Sequence, residues 1–337
     1  MDGKIRIGSR WVGSDEPTYI IAEAGSNHDQ KLSQAKRLID AAAEAGADAV
    51  KFQVYTADDL YSTDAPVYAA VKATELPPEW LPELAHYSAR CNLQFFASPF
   101  SRKAIDALEQ VRVPAYKWAS SETVKLDLLR YAAAKQKPIL LSTGMCDLAD
   151  LHEAVEVIRA EGNTQIVLLQ CTSLYSTPPE QVHLRVMDTL SAAFRLPVGF
   201  SDHTLEFYMP VAAVARGACV IEKHLTIDRS LPGPDHSYAL EPVEFAQMVQ
   251  AIRTVERALG SSEKIMLSDE GRYARRESLR AARDIAQGET LSSEMLVAQR
   301  PGDGLRPRFL KAIVGQKTRV PLAKGEPVRW ECVGAAS

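Results

Sequence analysis

The sequence predicts a (β/α)8 TIM barrel, an α/β fold, followed by a small β-rich domain, on three observations. Eight short apolar runs with β-branched or aromatic content recur from Tyr19 onward: YIIAEA, DAVKFQV, LQFFAS, AYKWAS, PILLST, IVLLQCT, PVGFS and CVIEKH. The segments between them carry helical spacing, and the alternation stops after residue 260. A doubly wound open sheet is the structural alternative. It usually has fewer strands and favours a Gly-rich first turn, where this chain has AGSNHD.

The helix-like segments include LSQAKRLIDAAAEAGA, SRKAIDALEQV, VKLDLLRYAAAKQ and LADLHEAVEVIRAEG, and EPVEFAQMVQAIRTVERALG supplies the last. The barrel is therefore assigned to 1–260. Residues 261–276, rich in polar and charged side chains, read as a linker, and 277–337 as the second domain. That tail has an internal echo: ARDIAQGETLSSEMLV and TRVPLAKGEPVRWECV share Ala, a polar residue, Gly-Glu and a following aliphatic, which suggests a repeated hairpin-like unit. Between the echoes, QRPGDGLRPR reads as an exposed loop, functional or merely connecting.

Composition narrows the function. The 337 residues are 46% hydrophobic and 24% charged, ordinary for a globular protein. A net charge of -4 gives no global attraction to nucleic acid or an anionic membrane, so any anion site must be local. Five cysteines, odd in number and without a CxxC pair, argue against a disulfide framework and a structural zinc site. The N-terminus has no signal-like apolar region and no run is long enough to span a membrane, so the expected location is cytoplasmic.

Active sites of such barrels lie at the C-terminal ends of the strands. Those ends carry Glu23, Lys51 and Gln53, Ser98, Lys117 and Ser120, Ser142, Ser173, Ser201 to His203, and Glu222 to His224. Charges inside apolar runs are costly to desolvate without partners. A shared polar cavity explains them together, and a structural ion-pair network is the competing explanation. His203 and His224 fall at the ends of what a βαβ crossover makes parallel neighbours. Each alone fits a strand-end imidazole bonded to a carbonyl; together, with Asp202 and Glu222 beside them, they suit a divalent metal.

At this point the motifs IIAEAGSNHDQ, GADAVKFQ, FFASPFS, PAYKWASSE, LSTGM, LLQCTSLYSTPPEQVHLR, GFSDHT, IEKHLT and GPDHSYALEP, in this order, resemble the sialic acid synthase family. RPGDG, with the two echoes, resembles the antifreeze-like (SAF, β-clip) domain that follows the barrel in that family. Each motif is weak alone, but the ordered set is specific and covers nearly the whole chain.

The resemblance implies condensation of phosphoenolpyruvate with an N-acetylated hexosamine such as N-acetylmannosamine, with phosphate released by C–O cleavage. It implies Mn2+ or Mg2+ on His203 and His224; phosphoenolpyruvate on Lys51, Ser98, Lys117, Ser120, Ser173 and Ser201; proton transfer or charge stabilisation by Glu23 and Glu222; and the sugar on Gln53, Tyr175 and Asp235. Arg300 would reach the sugar from the partner in a domain-swapped homodimer. Ser173 and Ser176 depart from the CTNIYPTP pattern of some bacterial members, and the loop after the second strand does not align with the usual sugar-binding loop. The acceptor thus stays open among those leading to sialic, legionaminic, pseudaminic and Kdn-type acids.

Three rivals remain. A Schiff-base aldolase would use Lys117 or Lys223. A synthase making an octulosonate or heptulosonate phosphate would lack the tail and carry more strand-end arginines. An ice-binding module is disfavoured by the many Arg, Glu and Asp residues of the tail.

Overall fold

The structure is a computed structural model that describes residues 3–272 and 276–334. The chain divides into two compact units, Met1–Gly260 and Ser261–Ser337. A short antiparallel hairpin, β1 (Ile5–Ile7) and β2 (Arg10–Val12), comes first. Then follow β3 (Tyr19–Gly25), β4 (Ala49–Val54), β5 (Gln94–Pro99), β6 (Tyr116–Trp118), β7 (Ile139–Ser142), β8 (Ile166–Cys171), β9 (Val198–Asp202) and β10 (Val220–His224). These eight form one parallel sheet in the order β5-β4-β3-β10-β9-β8-β7-β6, so the chain's first and last barrel strands pair and the sheet curls into a nearly closed barrel.

Strand parity sorts the side chains into two cores. On β4, Val50 and Phe52 face outward into the layer beneath the helices, while Ala49 joins an inner cluster with Tyr19, Ile21, Phe96, Leu140 and Val167. Lys51 and Gln53 share the parity of Ala49 and continue that inner face toward the C-terminal ends. The interior therefore has an apolar floor and a polar upper tier. Ile5, Ile7 and Val12 of the hairpin are buried in the floor cluster and plug it. The sequence reading did not register this hairpin, because three-residue strands carry too little alternation to show a period.

Parity also corrects one expectation. Asp202 does not stand beside the imidazoles. It lies between the inward Ser201 and His203 and points outward, where its Oδ2 sits 2.6 Å from Lys223 Nζ, with Thr204 Oγ1 donating to the same oxygen at 2.9 Å. Lys223 is wholly buried there and also donates to the carbonyl of Glu206 at 3.0 Å. A lysine paired in the strand–helix layer is not available to a substrate at the barrel mouth, which removes Lys223 as a Schiff-base candidate.

The second unit contains a helix at Ser268–Arg272 within the expected linker, and one antiparallel ladder, β11 (Ser278–Ala281) with β12 (Leu296–Gln299). The echo is a repeated turn rather than a repeated hairpin. In the first copy Ala286 N–H donates to Glu289 Oε2 at 2.9 Å around Gly288 at φ 78°; in the second, Ala323 N–H donates to Glu326 Oε2 at 2.9 Å around Gly325 at φ 86°. The positive φ explains the glycine and the side-chain acceptor explains the glutamate that follows it. The copies then pair with each other: Ile285 and Leu322 exchange both backbone hydrogen bonds at 2.9 Å, and both are buried in the unit's own apolar core.

Ile7→Ala removes buried methyl groups from the floor plug. It is expected to lower the unfolding free energy by about 2–5 kcal/mol in urea titration monitored by circular dichroism.

Candidate active site

The polar tier is built by inward positions of neighbouring strands. Lys51 Nζ lies 2.8 Å from Glu23 Oε2 and donates to Ser98 Oγ at 3.0 Å. Lys117 Nζ donates to Ser142 Oγ at 2.8 Å and lies 3.4 Å from Glu222 Oε1. Glu222 joins the halves: its Oε2 is 3.9 Å from Lys51 Nζ and its Oε1 accepts from Ser201 Oγ at 3.0 Å. Gln53 Nε2 donates to Glu23 Oε1 at 2.7 Å. All four charged residues are buried.

Their surroundings separate the two carboxyls. Burial pushes both up; at Glu222 the attraction of Lys117 and Lys51 outweighs burial and holds it well below the usual carboxylate range. At Glu23 burial prevails over Lys51, and Glu222 adds to the upward shift. Burial pushes the Lys117 ammonium down against the pull of Glu222, while Lys51, between two carboxylates, is held up despite burial.

His203 and His224 come together with ring centroids 5.3 Å apart. His203 Nδ1 faces the carbonyl of Thr172 at 3.0 Å, and a carbonyl only accepts, so Nδ1 donates there and Nε2 is left for another partner. His224 is pushed down to about 4 by burial and is neutral at pH 7; its buried Nδ1 has no hydrogen-bond partner. Two imidazoles, one with an orphaned ring nitrogen, suit a divalent ion that keeps further positions open for water or substrate. Among the described residues no cluster of three or more His, Cys, Asp and Glu side chains with metal-binding geometry occurs.

On the far side of Lys117, Gly144 lies against a ring of polar atoms. A Cβ there would fall 2.4 Å from Ser173 Oγ, 2.9 Å from Ser120 Oγ and 3.3 Å from Cys171 Sγ, and Gly144 N–H donates to Ser120 Oγ at 2.9 Å. Ser120 and Ser173 thus converge on one small cradle. Asp235 is held on the opposite wall, where Ser26 N–H and Oγ both donate to its Oδ2 at 2.9 Å. That approach requires Gly25, at φ 50°, since a Cβ would sit 2.4 Å from the same oxygen. The Tyr175 ring lies tilted against His203 with centroids 4.4 Å apart, and the residue is exposed.

The structure thus brings together Glu23, Lys51, Gln53, Ser98, Lys117, Ser201, Glu222, His203, His224, Tyr175 and Asp235, with Ser120 and Ser173 at the edge. Arg300 belongs to the second unit, where it is exposed and lines a concavity with Arg276, Arg306 and Arg308. Sequence reasoning missed Tyr238, whose ring lies 4.9 Å from His224. A lone aromatic in a loop without period gives no signal. Gly144 was passed over too, although its LSTGM motif was noticed.

The chain is similar to known proteins over most of its length. Residues 38–264 match the NeuB family and 276–334 the SAF domain. The chain is 40% identical to the N,N'-diacetyllegionaminic acid synthase of Legionella pneumophila, over 96% of both chains. The crystal structure of the spore coat polysaccharide biosynthesis protein SpsE from Bacillus subtilis superimposes with a TM-score of 0.71 at 39% identity, covering 99% of this chain and 100% of that one. A sialic acid synthetase from Leptospira borgpetersenii, in complex with citrate, gives a TM-score of 0.77 at 33% identity over 81% of this chain and 95% of its own. A NeuB-type barrel with a C-terminal SAF domain, carrying its buried lysines and paired imidazoles at the strand ends, this chain belongs to the NeuB family of sialic acid synthases.

Proposed function

We propose that this chain is a nonulosonic acid synthase that joins phosphoenolpyruvate to an N-acetylated hexosamine and releases phosphate by C–O cleavage. One observation carries the reading: two buried lysines, each bonded to a serine hydroxyl, face Glu222 inside the barrel, and His224 follows two residues along the same strand face. Phosphoenolpyruvate carries a carboxylate and a phosphate, and such a ligand needs fixed cations and hydroxyl donors. Lys51 and Lys117 would neutralise it, with Ser98, Ser201, Ser120 and Ser173 donating to its oxygens. The Gly144 cradle is of a size for one polar group and suits the phosphate.

The enol carbon of phosphoenolpyruvate attacks the aldehyde of the open-chain sugar, and water then adds at C2 before phosphate departs. Glu222, flanked by both lysines, stays anionic beside the cationic centre that forms at C2. Glu23, whose second partner is the neutral Gln53, moves the protons. Asp235, Tyr175 and Gln53 orient the sugar. Mn2+ or Mg2+ would be held by His203 and His224 and supplies Lewis-acid polarisation of the aldehyde.

Exposed apolar side chains on the loops after the strands, including Tyr61, Val124, Met145, Leu174 and Leu205, suit a cap. In a homodimer the SAF domain of a second copy supplies it and brings Arg300 to the acceptor. No helix among the described residues is long and apolar enough to cross a membrane.

Phosphate release from phosphoenolpyruvate is expected only with a hexosamine present, with loss of turnover on chelation and in His203→Ala or His224→Ala. With 18O in the bridging position, the label should appear in the phosphate; label in the sugar acid excludes C–O cleavage. Of the two lysines weighed for a Schiff-base route Lys117 remains, and borohydride should fail to trap pyruvate there. Gly144→Ala fills the cradle and is expected to weaken phosphoenolpyruvate binding at least about tenfold by calorimetry while thermal stability is kept. Arg300→Ala is expected to raise the KM for the sugar and leave that for phosphoenolpyruvate unchanged.

A further inference from the structure

Resting on the reading above, we infer that Tyr238 sets acceptor specificity, acting through Asp235 to favour a sugar that carries hydrogen or methyl, rather than hydroxyl, at the carbon meeting that carboxylate. Asp235 is already engaged on both oxygens. Ser26 N–H and Oγ donate to Oδ2 at 2.9 Å, and the Tyr238 hydroxyl donates to Oδ1 at 2.6 Å. A carboxylate offers about four acceptor positions, and three are filled before a substrate arrives. The remaining one lies on Oδ1, beside the phenol that occupies it.

The wall around that oxygen is aromatic. The Tyr238 ring is buried, lies 4.9 Å from His224 in an edge arrangement and 5.3 Å from the Tyr175 ring. Neither ring face offers an acceptor. A sugar hydroxyl desolvated here finds a single open position, on an oxygen already shared with the phenol, whereas a C–H or methyl group packs on the rings without leaving a donor unpaired. Asp235 keeps its place in the site, but Tyr238 decides what it can receive. Tyr238 thus differs from a residue that merely fills space: removing its hydroxyl releases Oδ1 and leaves the ring.

The test compares N-acetylmannosamine with its 3-deoxy, 4-deoxy and 6-deoxy analogues by kcat/KM, in the wild-type chain and in Tyr238→Phe and Tyr238→Leu. The wild type is expected to prefer one deoxy analogue over the parent sugar. Both variants should shift that pair's ratio toward the parent by about tenfold or more, mostly in KM, and leave the other pairs unchanged. A shift common to all pairs, or none, overturns the inference and assigns Tyr238 a structural role. A wild type preferring the hydroxylated sugar in every pair overturns it as well. A wild type that turns over no acceptor instead removes the functional reading, and this inference with it.

Discussion

Glu222 is the constraint on which the site depends. One carboxylate faces two buried lysines, from β4 and β6, and without it two ammonium groups would share a closed interior with only Glu23 to offset them. The apolar floor makes this arrangement tolerable: the hairpin plug and the inner cluster seal the N-terminal side, so water and ligand reach the charges only from the strand ends. Such a tier is a poor way to stabilise a fold, because desolvating four charges costs more than their attraction returns. It is a good way to hold a small dianion, whose charge replaces water around preset cations.

The barrel was legible because parallel strands buried on both faces read as short apolar runs, and the charges interrupting them mark the inner upper tier. Glu23, Lys51, Lys117 and Glu222 could be seen as a group for that reason. What the pattern withheld was direction. In FSDH and IEKH both parities are polar at the strand end, so composition alone put Asp202 with the histidines, whereas alternation from the inward Ser201 turns it outward to Lys223. Counting parity along the strand would have separated them.

Loop residues were less legible. Tyr238, Gly144 and Gly25 owe their roles to close approaches across the barrel mouth, and nothing local in the sequence encodes a contact between positions 25 and 235 or between 144 and 173. The tail behaved differently. Its echo was visible because each copy needs the same glycine and glutamate to close a turn, but the pairing of the copies through Ile285 and Leu322 is a long-range contact. Local turn chemistry repeats in sequence; the pairing that uses it does not.

In the proposed function the lysine pair and the serine cradle together receive the enol ester. The most direct measurement is a crystal structure of the chain with phosphoenolpyruvate and Mn2+. The expected result is one anionic group between Lys51 and Lys117, the phosphate against Gly144 with Ser120 and Ser173, and the ion on His203 and His224. Phosphoenolpyruvate bound away from both lysines, or an ion held elsewhere in the barrel, would contradict it.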